Sequence, residues 1–166
     1  MACPILQRQI VALLKSGEPD QVDQALELLR CLPEVTVGLD LRRVRLTRLN
    51  LSSAYFRRVN LERARLILSD LGGADLQRAK LVRAQLSCVR LARADLWEAN
   101  LRDARLRFSD LRGADLRRAC LRRADLRECD LCGADLTDAD LRDARLDGAR
   151  WDAQTRWSSA PPIVIR

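Results

Sequence analysis

Ala94-Asp95-Leu96-Trp97-Glu98-Ala99-Asn100-Leu101-Arg102-Asp103-Ala104-Arg105-Leu106 is the stretch that decides the fold, because leucine returns in it at every fifth residue. Outward from it in both directions the spacing holds from Leu41 to Trp151, giving 23 consecutive pentads with Leu at 21 of their centres. Two residues before each centre stands a second series, in which 18 of 23 residues are Ala, Ser or Cys. The repeating unit is therefore small-x-large-x-x.

A five-residue period fits neither regular secondary structure. On an α-helix each step of five rotates by about 140°, which spreads the leucines around the axis. In a continuous strand an odd period moves the leucine to the opposite face at each repeat. The small and large residues lie two apart, as on one face of a short extended segment. We therefore expect the chain to turn once per pentad and to close into a solenoid.

Several pentads place an Asp or Asn between the small residue and the leucine: Ala74-Asp75-Leu76, Ala94-Asp95-Leu96, Ala99-Asn100-Leu101, Ala114-Asp115-Leu116 and Ala134-Asp135-Leu136. Over residues 39–153 the chain resembles the pentapeptide-repeat family, whose signature is small-Asp/Asn-Leu-x-x. The resemblance implies an all-β solenoid, a right-handed quadrilateral β-helix with four pentads per coil and the small and large residues inward. The 23 pentads then make nearly six coils. At roughly 4.8 Å per coil they form a rod about 28 Å long.

The N-terminal residues depart from the repeat and predict an α-helical hairpin over residues 4–32, with Gly17 and Pro33 as the expected helix ends. A stack of coils leaves unpaired strand edges that must be covered. We therefore expect residues 1–38 to cap the first coil. That coil has larger inward residues than the later ones: Leu39, Val44, Leu49 and Val59. The alternative is a partner-binding module that uses the acidic second helix.

The pattern also ends after Trp151, because polar residues then occupy positions where inward or centre residues are due. Two interpretations of residues 154–166 stay open. One is a cap folded over the last coil. The other is a homodimer contact, which the family resemblance also implies because some members dimerise through their C-terminal coils. The residues concerned in both are Trp151, Trp157, Ile163, Val164 and Ile165.

Composition narrows the chemistry that the chain can perform. Histidine is absent, which removes the side chain most used for acid–base catalysis near neutral pH and the commonest metal ligand. The six cysteines show no framework spacing, the first eight residues lack the charged-then-apolar order of a signal peptide, and no apolar run is long enough to span a membrane. We expect a soluble, cytoplasmic protein that is not an enzyme and has no cofactor, metal or membrane partner.

The net charge of +7 is unevenly distributed, because residues 1–40 carry three basic and six acidic groups while the remainder carries an excess of ten basic groups. Residues 20 apart should stack in columns on one face of the rod. The most basic face holds Arg42, Arg43, Arg63, Arg83, Arg102, Arg122, Arg123 and Arg142. It is either a stripe for nucleic acid or an acidic partner, or a solvated face whose carboxylates relieve repulsion. A GC-rich genome is an equally good explanation of the arginine excess.

Three smaller patterns also have both a functional and a structural interpretation. Ile67, Leu68 and Phe108, beside Cys88, should point outward and could form an apolar contact patch, although single exposed apolar residues are common. The column Asp75, Asp95, Asp115 and Asp135 could suggest calcium, but Asp before Leu is the consensus of the repeat. Cys129-Asp130-Leu131-Cys132 spells CxxC, yet the register sends Cys129 inward and Cys132 outward. Both patterns are therefore expected to be structural.

Three functions remain open at this point. The first is a non-enzymatic interaction or scaffold protein with an unknown protein partner. The second is implied by the family resemblance: quinolone-resistance members look like a duplex DNA rod and bind type II topoisomerases, so DNA gyrase is a candidate partner. Mimicry of DNA needs negative charge along the rod, and the excess of basic groups argues against it. The third is direct nucleic-acid binding through the arginine columns, which lacks an accompanying aromatic column for base stacking.

Overall fold

The repeat region folds into the predicted four-sided β-helix. The computed structural model describes residues 4–16 and 18–158. Parallel bridges join the residue before each pentad centre to the residue 20 positions later, as in Asp75 to Asp95 and Asp95 to Asp115. Each contact is a pair of backbone hydrogen bonds; Leu76 N donates to Asp95 O at 2.7 Å, and Asp95 N donates to Ala74 O at 2.9 Å. One coil therefore contains 20 residues and four pentads, and the fold class is confirmed.

Each corner of the rod is a four-residue turn with one residue in the left-handed region. In the pentad centred on Leu76, Ala79 N donates to Leu76 O at 3.0 Å across Arg78, whose φ is 56°. A turn of this kind requires positive φ at its third residue. Eighteen described residues other than glycine adopt it, all at this position of the pentad. Because an L-residue resists this conformation by about 1 kcal/mol or more, the inter-coil hydrogen bonds must impose the turn.

The core of the rod is a column of leucines lined by small residues. From the second coil to the fifth, the centre and small positions are almost fully buried; Leu101, Ala104 and Leu106 have no exposed surface. Phe56 is the one aromatic centre of the first coils and is also fully buried. Because the second inward residue of most pentads is small, the leucine side chains have room to pack along the axis of the tube.

The N-terminal residues form the predicted cap, with helices α1 (Pro4–Ser16) and α2 (Pro19–Cys31) in contact with each other. Leu29 O accepts from Tyr55 N at 3.1 Å, and Arg30 Nη2 donates to Asn50 O at 2.6 Å. The cap therefore pairs strand-edge groups of the first coil, and Leu29 is fully buried against that coil's apolar residues. Pro33 ends α2 and also begins a third helix that the sequence analysis did not predict, α3 (Pro33–Thr36). Gly17 lies outside the described residues.

The ladder continues beyond the last recognisable pentad. Strands β1 (Asp135–Leu136) and β2 (Arg156–Trp157) pair in parallel, with Asp135 opposite Arg156, so the offset is 21 residues instead of 20. Thr155 takes the small inward position and Trp157 the centre position. The extra residue hides this last step from a search at a strict period of five. Among the described residues, no helix is long and apolar enough to cross a membrane.

Candidate interaction surfaces

The outward residues fall into columns on four sides of the rod, because residues 20 apart are hydrogen-bonded neighbours. We name each side after the centre residue that it carries in the first coil: the Leu41, Leu46, Leu51 and Phe56 sides. Each pentad places three residues outward, one before the centre and two after it. A function carried by the rod must use these columns.

The Leu41 side carries the eight arginines that the sequence marks as a basic face, and most of them are already paired. Asp103 accepts from Arg123 at 2.7 Å and lies within 3.9 Å of Arg83 and 3.6 Å of Arg102. The hydrogen bond from Arg123 lowers the pKa of the Asp103 carboxyl. Arg63 lies 3.6 Å from Glu62. Several positive charges on this side are therefore balanced by carboxylates of the same side.

A local triplet, Asp-Leu-Arg across a pentad centre, accounts for further pairs. Asp40 and Asp140 accept from Arg42 and Arg142, at 2.6 Å in both cases. The aspartate also accepts the backbone N–H of the same arginine. The guanidinium holds the pKa of Asp140 down to about 2. The triplet is readable in the sequence, and it recurs on other sides at Asp110-Leu111-Arg112, Asp115-Leu116-Arg117 and Asp125-Leu126-Arg127.

Of the eight predicted arginines, six are thus in ion pairs, and Arg43 and Arg122 are in none with the described residues. Exposed ion pairs of this kind add little stability. They do lower the charge that the side offers to a phosphate chain. The geometry brings these residues onto one side of the rod, where carboxylates of the same side balance part of their charge.

The Leu46 side differs in its first four coils, which contain five arginines and no carboxylate among their outward residues. None of the five is in an ion pair with the described residues: Arg45, Arg48, Arg65, Arg105 and Arg107. In the two coils that follow, the same side carries Asp125, Glu128 and Asp147. The arginines of this side that are in no ion pair with the described residues therefore lie towards the capped end.

The predicted apolar patch lies on this same side, beside those arginines. Leu68 and Phe108 are 50% and 56% exposed, the highest values for large apolar residues of the β-helix. Cys88 is exposed between them, and Ile67 is half-buried. The guanidinium of Arg107 lies 5.0 Å from the centre of the Phe108 ring. The Nε atom of Arg107 is buried and has no hydrogen-bond partner among the described residues.

The two patterns that could suggest metal chemistry have structural surroundings. In the aspartate column, Asp75 Oδ1 accepts the N–H of Gln77 at 3.1 Å, and Asp115 is bonded to Arg117. Cys129 is buried in the place of an alanine, and its Sγ donates to Leu106 O at 2.9 Å. Burial raises the pKa of the Cys129 thiol to about 12. No group of metal-binding side chains is found within the described residues.

At the C-terminal end, the rings of Trp151 and Trp157 meet edge to face, with centroids 5.6 Å apart and an angle of 77°. Both are half-buried. The other three residues of the predicted cap or dimer contact, Ile163, Val164 and Ile165, lie outside the described residues.

The family to which the chain belongs follows from comparison with family models. The model for pentapeptide repeats matches eight copies, over residues 37–63, 84–123 and 121–150. These segments cover more than half of the chain. The chain is therefore a member of the pentapeptide-repeat family, as the resemblance implied. A search among curated protein sequences gives no match.

Solved structures with a similar fold are known. A pentapeptide repeat protein from the Arabidopsis thaliana thylakoid lumen is 30% identical, with a TM-score of 0.47, over 48% of this chain and 56% of that one. This chain thus matches little more than half of that protein's length. Rfr23 from the cyanobacterium Cyanothece 51142 is 30% identical, with a TM-score of 0.39, over 80% and 96%. HetL from Nostoc sp. strain PCC 7120, involved in heterocyst differentiation regulation, is 27% identical, with a TM-score of 0.43, over 90% and 70%.

Proposed function

We propose that this protein is a non-enzymatic interaction protein that presents one side of its β-helix to a protein partner. The observation that carries the proposal is the contrast between two sides of the rod. Arginines of the Leu41 side largely lie in ion pairs with carboxylates, whereas the five in the first four coils of the Leu46 side are in no ion pair with the described residues and lie beside exposed apolar residues. Unbalanced charge beside apolar surface is typical of a contact surface.

The rigidity of the rod supports this role. Each coil is hydrogen-bonded to its neighbours along every side, so the outward columns are held at fixed spacing before a partner arrives. A surface that is ordered in advance loses little conformational entropy on binding. We place the protein in the cytoplasm within this proposal, on the basis of its cysteine usage.

Site-specific photo-cross-linking in the native host tests the proposal. A photoreactive phenylalanine analogue replaces Ser87, at the middle of the Leu46 side, or Ala92, at the same height on the Leu51 side. We expect a discrete cross-linked protein adduct from position 87 and none from position 92. Adducts from neither position, or from other sides of the rod only, would contradict a contact through the Leu46 side. The absence of any specific adduct on all four sides would contradict the wider proposal.

The two alternatives have separate tests. DNA mimicry at gyrase would use negative charge along the rod, and here many of the carboxylates are neutralised by arginine. We expect quinolone inhibition of supercoiling to be unchanged by excess protein. Direct DNA binding predicts retention on a DNA column that falls steeply with salt. We expect weak retention, because six of the eight predicted arginines lie beside carboxylates that repel a phosphate chain.

The homodimer is a further part of the proposal, with Trp151 and Trp157 at the contact. Light scattering after size exclusion gives the mass of the particle. A dimer that becomes a monomer in Trp151→Ala supports it, and a wild-type monomer at high concentration contradicts it.

A further inference from the structure

We infer that the Leu46 side binds an acidic amphipathic helix that lies along the rod. This inference rests on the proposed function and adds the chemistry and geometry of the partner. The surface involved, called here the basic–apolar column, comprises Leu68, Cys88 and Phe108 with the flanking arginines Arg65, Arg105 and Arg107.

The spacing of the apolar residues along the rod matches one face of an α-helix. Leu68, Cys88 and Phe108 occupy the same outward position in three successive coils. At roughly 4.8 Å per coil they lie at about 0, 4.8 and 9.6 Å along the axis. An α-helix rises about 1.5 Å per residue, so its residues i, i+3 and i+7 lie on one face at about 0, 4.5 and 10.5 Å. An extended strand presents same-face residues about 6.8 Å apart, which does not match the column.

The arginines beside the apolar residues favour a partner with negative charge. Arg45 and Arg65 are bridged neighbours in adjacent coils, so like charges lie directly opposite each other, an arrangement that destabilises a sheet. Arg105 is bridged to Gln85 in the third coil and to Asp125 in the fifth, and no carboxylate of the first four coils faces any of these arginines from this side. Asp103, at the corner beside Arg105, is engaged by Arg123. In the fifth coil, Asp125 is bonded to Arg127 and lies near Arg107. Carboxylates on the flank of a docked helix would relieve this repulsion through charge-assisted hydrogen bonds.

The apolar residues distinguish a helix from a nucleic acid. Single strands bind through successive aromatic residues on which bases stack, and Phe108 is the only aromatic of this column. Leu68 and the half-buried Ile67 are aliphatic, and they suit leucine or isoleucine side chains of a helix. The Phe108 ring lies against the guanidinium of Arg107 and provides a flat apolar surface at the end of the column that is nearer the C-terminus.

A designed peptide provides a probe of defined chemistry. It is a fluorescent, 18-residue helix with Leu at i, i+3, i+7 and i+10, Glu on both flanks and Ala elsewhere. Two control peptides have the same composition in scrambled order, or Gln in place of Glu. A duplex DNA of equal charge is the fourth ligand. Fluorescence anisotropy with the full chain gives the affinity for each ligand. We expect the ordered acidic helix to bind at least about tenfold more tightly than any other ligand.

Matched variants locate the binding site. The double variant Leu68→Ser with Phe108→Ser removes exposed side chains and leaves the core intact. It should weaken the ordered helix by about tenfold and leave the scrambled peptide unchanged. Arg65→Gln with Arg105→Gln should weaken both acidic peptides by a similar factor. The control, Arg93→Gln with Arg122→Gln, removes the same charge from other sides and should change binding less than about twofold. Circular dichroism verifies that each variant is folded.

Three results would overturn the inference: no binding of the ordered helix, equal binding of duplex DNA, or equal loss in the control variant. Such a failure is distinguishable from failure of the proposed function, because cross-linking in the host would still show a protein partner. Adducts at position 87 with a partner segment that is basic or extended would contradict the helix alone.

Discussion

The two ends of the rod differ in how the described residues cover the strand edge and the core of the outermost coil. At the N-terminal end, the helical hairpin pairs backbone groups of the first coil and buries Ile10, Ala25 and Leu29 completely. At the C-terminal end of the described chain, one short strand, β2, continues the ladder on the Phe56 side only. The centre residue Leu141 and the small residue Ala144 of the last coil remain half-buried.

The difference shows how stability is distributed in a solenoid. Each coil is stabilised by its neighbours on both sides, so an interior coil gains two interfaces and an uncovered end coil gains one. We therefore expect the capped end to unfold together with the interior and the last coil to fray first. The basic–apolar column lies in the first four coils, within the part that this comparison predicts to be most rigid.

The largest effect should follow removal of the hairpin, residues 1–36. The truncation exposes the apolar residues and strand edge of the first coil, so we expect the soluble protein to be lost to edge-to-edge association. Solubility and size-exclusion chromatography measure this. The control, Ile5→Ser, alters a cap residue that is 73% exposed and should behave as the wild type. A soluble truncation with the oligomeric state of the wild type, whose circular dichroism loses only the helical signal, would show that the first coil needs no cover.

A matched pair of leucine substitutions compares the interior with the last coil. Leu101 is fully buried, so Leu101→Ala should lower the free energy of unfolding by about 3 to 4 kcal/mol. Leu141 is half-buried at the same position of the last coil, and Leu141→Ala should cost about half as much. Urea denaturation measures both. Equal losses would mean that the last coil is as well covered as the interior.

The sequence predicts the repeating part of this fold well, because Leu at every fifth residue and a small residue two earlier determine register, coil size and core together. It predicts less where the period breaks. The added residue before Thr155 moves β2 out of the five-residue frame, and α3 is too short to show a helical pattern. No local sequence pattern predicts the positive φ of Arg78 or Phe108, because the hydrogen bonds between coils impose it on residues that disfavour this conformation.

The surfaces were predictable only in part. Outward orientation followed from the register, so the apolar patch at Leu68 and Phe108 was placed correctly on the exterior. The sequence places Asp103 between Arg83 and Arg123 in one column, and a face whose carboxylates relieve repulsion is one of its two interpretations; in the structure Arg123 donates to Asp103. The column does not show that Arg102 also lies near this carboxylate, because that contact depends on side-chain reach between neighbouring columns. The Asp-Leu-Arg triplet is a second pairing that sequence spacing reveals.

A smaller effect is expected at the turn that restores the ladder at the C-terminal end. Asp152 Oδ1 accepts the N–H of Gly133, Gln154 and Thr155, so it holds the extra residue in place. Asp152→Ala should lower the melting temperature by roughly 2 °C. It should also speed hydrogen exchange at Arg156, whose N–H donates to Ala134 O at 2.9 Å. Exchange at Leu106 in the interior serves as the control and should not change.

The pH dependence at this turn has a definite sign. The hydrogen bond from the Gly133 N–H lowers the pKa of Asp152. A lowered pKa means that the stabilisation is fully present above about pH 4, the ordinary value for Asp. It is lost as the pH falls through the lower pKa of the folded state. The wild type should therefore lose β2 protection on acidification below pH 4, and Asp152→Ala should show no such change at Arg156. Identical acid profiles would exclude this carboxylate as the cause.

The smallest effect tests whether the two ends differ in local backbone energy or only in packing. Arg43 in the first coil and Asp143 in the last have nearly the same φ, 58° and 60°, and both are exposed. Glycine removes the penalty for positive φ but adds backbone entropy to the unfolded chain, so each change should stabilise by about 0.5 kcal/mol. Because a corner is a local structure, Arg43→Gly and Asp143→Gly should give equal gains in urea denaturation. A larger gain at residue 143 would mean that the turns of the last coil, and not only its packing, contribute to its lower stability.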